Sequence, residues 1–152
     1  MKKLLTILFL LLTLNLSAQK HEAWKTVGVY SSSILLEATG AGLNLSGHQD
    51  WGHVLQASSV GVLITSPFII EYQKEKWGWY IASYVGLRVG LFDYALNAAA
   101  GLPLDYRGDS NFWDQAINEL NPPNNAFFGR AVFFTVGFAI PFNEIYKKHK
   151  RY

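Results

Sequence analysis

Four apolar stretches of about helical length, each closed off by a polar or glycine–proline connection, leave this chain few ways to fold. They run from about Ala23 to Leu45, Trp51 to Tyr72, Trp77 to Ala100 and Ala126 to Ile145. Aromatic and β-branched residues are common in them, yet none sustains the two-residue alternation of a half-buried strand. An eight-stranded outer-membrane barrel would also need a turn after every segment of about ten residues. The expected fold is therefore all-α: an up-and-down bundle of four helices. The connection from Leu102 to Asn125 has room for a short extra helix at about Asn111–Leu120, ended by Pro122-Pro123-Asn124-Asn125.

Local signals sharpen the boundaries. Asp50 is a good N-cap for the second helix, Pro67 should kink or tighten its last turn, and Gly101 with Pro103 should stop the third. Gly28, Ser31, Ser32, Ser33, Ala38, Gly40 and Gly42 make the first segment one that another helix can approach closely. Segments two and three hold the longest apolar stretches and are expected to be the most buried.

Residues 1–18 read as a secretory signal. Lys2 and Lys3 precede an apolar run from Leu4 to Leu16, and Leu16-Ser17-Ala18 offers the small residues of a cleavage site. Residues 19–152 then form a single domain, large enough to bury a core without staples. The chain has no cysteine, so it has no disulfide, no thiolate chemistry and no lipid-bearing cysteine. Its basic residues gather at Lys74, Lys76 and the tail Lys147-Lys148-His149-Lys150-Arg151. Such short clusters suit solvated ends or anionic lipid head groups; no nucleic-acid partner is expected of an exported chain.

Segment length matches a bilayer, but the interior charges are costly at its centre, by about 2.5–3.5 kcal/mol each on insertion scales. Four spans after signal cleavage would also place the basic turn and tail outside, against the usual charge rule. That conflict disappears if segment one does not span, or if the protein does not lie in the inner membrane. Two readings follow: a helical membrane protein, which is favoured, and a compact periplasmic or membrane-surface bundle. Both place the chain in the envelope of a gram-negative-type bacterium, with membrane lipid as the expected partner and an envelope protein as a further one. Trp77, Trp79 and Tyr80 at a segment start suit a head-group belt.

The interior ionisable residues are the candidate site. In an up-and-down bundle Glu37 lies about one helical turn in level from His53, and His53 lies level with Asp93 and Asn97, which share a face at i,i+4. Arg88 sits nearer the middle but within reach, and Arg130 enters the fourth helix at the same end. Asp50 and the loop residues Asp105, Arg107, Asp109 and Asp114 fall on connections at that end too. Glu71 belongs to the opposite end, near Lys74, Lys76, Trp77 or the tail. Buried charges need partners, and a satisfied polar network is the favoured role. A pocket is the alternative. No cofactor is expected, although Glu37, His53 and Asp93 together are a possible donor set for a divalent metal, or a base with an orienting acid.

Sequence motifs add little chemistry. There is no H-E-x-x-H, no E-x-x-H pair and no G-x-S-x-G elbow. Ser46-Gly47-His48 matches one motif of membrane lipid phosphatases, but its companions are missing. Asp50-Trp51-Gly52-His53, opening an apolar helix, resembles the Asp-Lys-x-His opening of predicted periplasmic lipoproteins of the YfiM kind and of VanZ-like membrane proteins. In that resemblance Glu71 or Asp93 stands for the acidic residue of the next helix, and Asp114 for the aspartate before the last one. Arg88 to Tyr106 is similar to a stretch of exported envelope proteins. The resemblance implies location and fold, not a reaction. The expected function is a small membrane or membrane-associated scaffold or binding protein. The alternative is a small enzyme or metal-binding protein acting on a lipid or cell-wall substrate.

Overall fold

The computed structural model describes residues 22–106, 115, 119 and 126–145. The signal segment and the short helix expected at about Asn111–Leu120 lie outside them, although Gln115 and Glu119 are described, helical and exposed. Four helices account for nearly all of the rest: α1 Glu22–Leu45, α2 Gln49–Ile69, α3 Trp77–Ala100 and α4 Ala126–Ile140. A short 3-10 turn at Lys74–Lys76 precedes α3, and a π-helical turn at Pro141–Ile145 follows α4. There is no strand among the described residues.

The bundle is built on the pair α1 and α3, which run in the same direction. α2 packs on α1, and α4 packs on α3, each antiparallel to its partner. α2 and α3 are consecutive in the chain but make little direct contact.

Small residues one heptad apart set how closely the first hairpin packs. Thr26, Ser33 and Gly40 on α1 are buried, and so are Gly52, Ser59 and Ser66 on α2. The two sets run antiparallel in register. A Cβ on Gly40 would come within 2.6 Å of the Gly52 carbonyl, and one heptad away the Ser33 and Ser59 hydroxyls meet at 2.9 Å. Any larger side chain here would push the backbones apart. α3 and α4 repeat the device. Gly86 faces Gly137 so closely that a Cβ would lie 2.7 Å from the Gly137 Cα. The Ser83 hydroxyl donates to the Gly137 carbonyl at 2.7 Å.

The helix ends are closed by named bonds. Pro67 cannot donate to the Leu63 carbonyl, and the Ser66 hydroxyl donates to it instead at 2.8 Å. Gly101 ends α3 in the left-handed region (φ 72°), with the Leu102 N–H returning to the Asn97 carbonyl. α2 begins at Gln49, so Asp50 lies in its first turn. The N-cap is His48, whose side chain makes no capping bond.

Burial overturns one sequence expectation. α1, not α2 or α3, supplies the longest set of buried residues, and α2 buries only Gly52, Ser59 and Ser66. Most large apolar residues of α2 face outward: Val54, Val60, Ile64 and Ile69 are exposed, and Phe68 is 86% exposed. Apolar length along a segment does not by itself say which helix the others surround. Here the closest α1–α2 contacts are made by small residues, and many large side chains of α2 are left outside.

The packed apolar core lies toward the α2–α3 turn. Val29, Tyr30, Ile34, Ile70, Tyr80, Leu87 and Ile145 form it, with Leu63, Tyr84 and Phe92 packed against it. Lys25 pairs with Glu71 at 2.9 Å across this end, and the Lys76 ammonium donates to the Ile145 carbonyl.

Candidate functional site

The interior charges divide into two ion pairs, one on each side of α3. The first joins α1 to α3. Arg88 grips Glu37 with both terminal nitrogens, Nη2 to Oε1 at 2.9 Å and Nη1 to Oε2. Its guanidinium also lies over the Phe92 ring, 4.4 Å from the centroid, and Nη1 reaches the Tyr84 hydroxyl at 3.4 Å. A planar guanidinium suits this double grip on a carboxylate. The pair remains partly open, with side-chain exposures of 36% for Arg88 and 31% for Glu37.

The second pair joins α3 to α4. Arg130 Nη2 donates to Asp93 Oδ2 at 2.6 Å, one heptad along the seam from Gly86 and Gly137. Arg130 is 1% exposed, and its guanidinium lies 5.0 Å from the Tyr94 ring centroid. Asn97, one turn beyond Asp93 on α3, is buried as well. Its amide donates to the carbonyls of Leu104 (3.3 Å) and Tyr106 (2.8 Å). Arg130 Nη1 reaches the same Leu104 carbonyl at 3.5 Å. Asp93, Asn97 and Arg130 thus strap the start of the α3–α4 connection onto the helices. Arg130 Nε is buried and has no partner among the described residues.

The candidates sort as follows. Asp93, Asn97 and Arg130 come together as the turn arithmetic predicts. Arg88 does not join them; it pairs with Glu37. Five residues separate Arg88 from Asp93 on α3, a rise of about 7.5 Å. The pairs are therefore close in level but point to different neighbours. His53 is exposed on α2. Its level is near the expected one, because adjacent Gly52 packs against Gly40, but its side chain does not share the α1-facing seam. Asp50 and Asp105 are exposed. Arg107, Asp109 and Asp114 lie outside the described residues. Glu71 is at the opposite end, as expected, but its partner is Lys25.

The metal candidates Glu37, His53 and Asp93 are distributed over different faces, and arginine holds both carboxylates. No group of three metal-ligating side chains occurs among the described residues.

Sequence reasoning did not find the tyrosines beside the first pair. Tyr30 and Tyr84 meet edge to face with ring centroids 5.5 Å apart, and Tyr72 and Tyr80 lie 5.0 Å apart. The Gln73 N–H donates to the Tyr80 hydroxyl at 3.3 Å. Toward the other end of α1, Asn44 Nδ2 donates to Gln56 Oε1 at 3.2 Å. The signal that was present was the heptad spacing of small residues, which fixes the face of each helix as well as its level.

Comparison of the chain with known protein families, characterised proteins and solved structures returns no match.

Proposed function

We propose that this chain is an exported envelope protein whose helices are embedded in a membrane, where it serves as a small scaffold or binding protein. One observation carries the reading: beside a small apolar core, the close helix seams are filled by small residues while many large apolar side chains cover the exterior. Serine, threonine and glycine fill the seams, whereas Val54, Val60, Ile64, Phe68, Phe128, Val132 and Val136 are exposed. In water such a surface would be an aggregation hazard; among acyl chains it is the expected exterior. α2 is also the one described helix long and apolar enough to cross a membrane. Exposed Trp51 near its start and exposed Tyr72 and Trp77 beyond its end fit two head-group levels. These lie about 30 Å apart by helix rise.

The signal-like residues 1–18 and the resemblance to YfiM-like and VanZ-like proteins point to the same compartment. A scaffold is preferred to an enzyme because both interior carboxylates are engaged by arginines and His53 stands apart from them. Membrane lipid is the primary partner in this reading, with an envelope protein as a second. The test is fractionation of the expressed chain. It is expected to stay with membranes through an alkaline carbonate wash and to leave them only in detergent. Release into the soluble fraction without detergent would overturn the membrane reading.

A further inference from the structure

The Glu37–Arg88 pair sits at an unexpected depth for a helix among acyl chains. Arg88 is near the middle of α3, with about eleven residues on either side, or roughly 16 Å of helix to each end. Yet about a third of both charged side chains is open to the surroundings. Left against lipid, charges at that depth are unfavourable.

Glu37 lies one turn beyond Ser33, whose hydroxyl meets α2, and pairs with Arg88 of α3, so the pair borders the space along α1 where α2 and α3 make little contact with each other. Toward the α2–α3 turn this space is closed by Tyr30, Ile34, Ile70, Tyr80 and Leu87, all buried. Toward the α1–α2 connection its lining is half-buried and partly polar. Gln56 covers Gly40, one turn beyond Glu37, and bonds to Asn44. The connection itself, Ser46 to Asp50, is exposed.

Resting on the membrane reading, we propose that this space is a one-ended aqueous crevice. Water and small dissolved polar solutes enter at the Asn44–Gln56 end and reach Glu37 and Arg88, and the tyrosine-lined core stops them there. The occupant is water rather than acyl chains or a second protein, because an ion pair that keeps a third of its surface open is already satisfied internally and needs only hydration of the remainder. The arrangement gives the membrane protein an internal polar site addressed from one side only.

The absence of cysteine makes the proposal directly testable. Single replacements Ala41→Cys, Gln56→Cys and Phe92→Cys border the crevice, at positions that are half-buried; Val60→Cys and Ile64→Cys lie on the outward face of α2. Ala41 follows Glu37 by one helical turn and so shares its face of α1. Each variant is treated in native membranes with a charged, membrane-impermeant thiol reagent. The crevice positions are expected to label at least about tenfold faster than the outward ones, since the reacting thiolate forms only where water reaches it. Helical circular dichroism of each purified variant identifies any that misfolds, and the other crevice positions then carry the test. Labelling no faster than at Val60→Cys and Ile64→Cys, with those two slow, would show lipid or protein on this face and overturn the crevice. Oxidative cross-linking between copies through these cysteines would overturn it in favour of a second chain. Fast labelling at Val60→Cys and Ile64→Cys would instead sink the membrane reading itself.

Discussion

Two arginines on neighbouring helices solve the same problem in different surroundings. Arg130 is enclosed between α3 and α4, with Asp93 as its charge partner and a loop carbonyl as a second acceptor. Arg88 meets Glu37 through two parallel bonds, but the pair stays partly open between α1 and α3. The first is part of how α4 and the preceding connection are attached. The second is a partly open pair near the middle of α3. A buried ion pair is expensive to break because the remaining charge has no solvent, whereas a hydrated pair loses little. The two sites should therefore respond very differently to the same kind of substitution.

The largest effect is expected at the enclosed pair. Asp93→Ala strands the Arg130 guanidinium and should lower stability by about 3–5 kcal/mol, read from denaturant or thermal unfolding in detergent. A loss below about 1 kcal/mol, the scale of an exposed pair, would mean that Arg130 finds other partners and that the contrast is false. Next comes the seam beside it. Gly137→Ala places a methyl within 2.5 Å of the Leu87 amide nitrogen and 2.7 Å of the Gly86 carbonyl carbon. Neither is a flexible side-chain end, so the helices must separate, at about 1–3 kcal/mol. Gly61→Ala, where a Cβ meets nothing within 4 Å, is the matched control. It should be neutral or slightly stabilising, because alanine favours a helix over glycine. Equal losses at the two glycines would show that close approach is not what holds α3 to α4.

Glu37→Ala should cost only about 1 kcal/mol if water solvates the remaining Arg88. A loss as large as that of Asp93→Ala would place Arg88 in a dry site and remove the physical basis of the crevice. The smallest effect is expected for His53→Ala. This side chain is exposed on α2, and such substitutions usually stay within about 0.5 kcal/mol. A large destabilisation there would require a partner that the described residues do not provide.

The turn arithmetic on the sequence recovered levels and missed faces. It placed Asp93, Asn97 and Arg130 at one end, and there they meet. It also put His53 within about a turn of Glu37 in height, which agrees with the packing of Gly52 on Gly40. But rise per residue gives only a position along the axis. Whether two side chains at one height meet depends on rotation about it, and each residue turns a helix by about 100°. One step from Gly52 to His53 is enough to leave the α1-facing seam. Arg88 and Asp93, five residues apart, likewise serve two different neighbours.

Sequence alone determined that the described residues are helical and, to within a few residues, where the four helices begin and end, because segment length, the lack of two-residue alternation and the glycine and proline stops are local properties. It also carried the heptads Thr26–Ser33–Gly40 and Gly52–Ser59–Ser66, which specify close packing once they are read as faces. Only the tertiary structure decided that α1 would be the most enclosed helix and α2 the most exposed. Burial depends on how many neighbours a helix acquires, and apolar content does not count them. The pairing of Glu37 with Arg88, of Asp93 with Arg130 and of Lys25 with Glu71 was likewise settled by assembly. Several partners of suitable charge were available to each, and the choice among them followed from the rotation at which the small-residue seams lock the helices together.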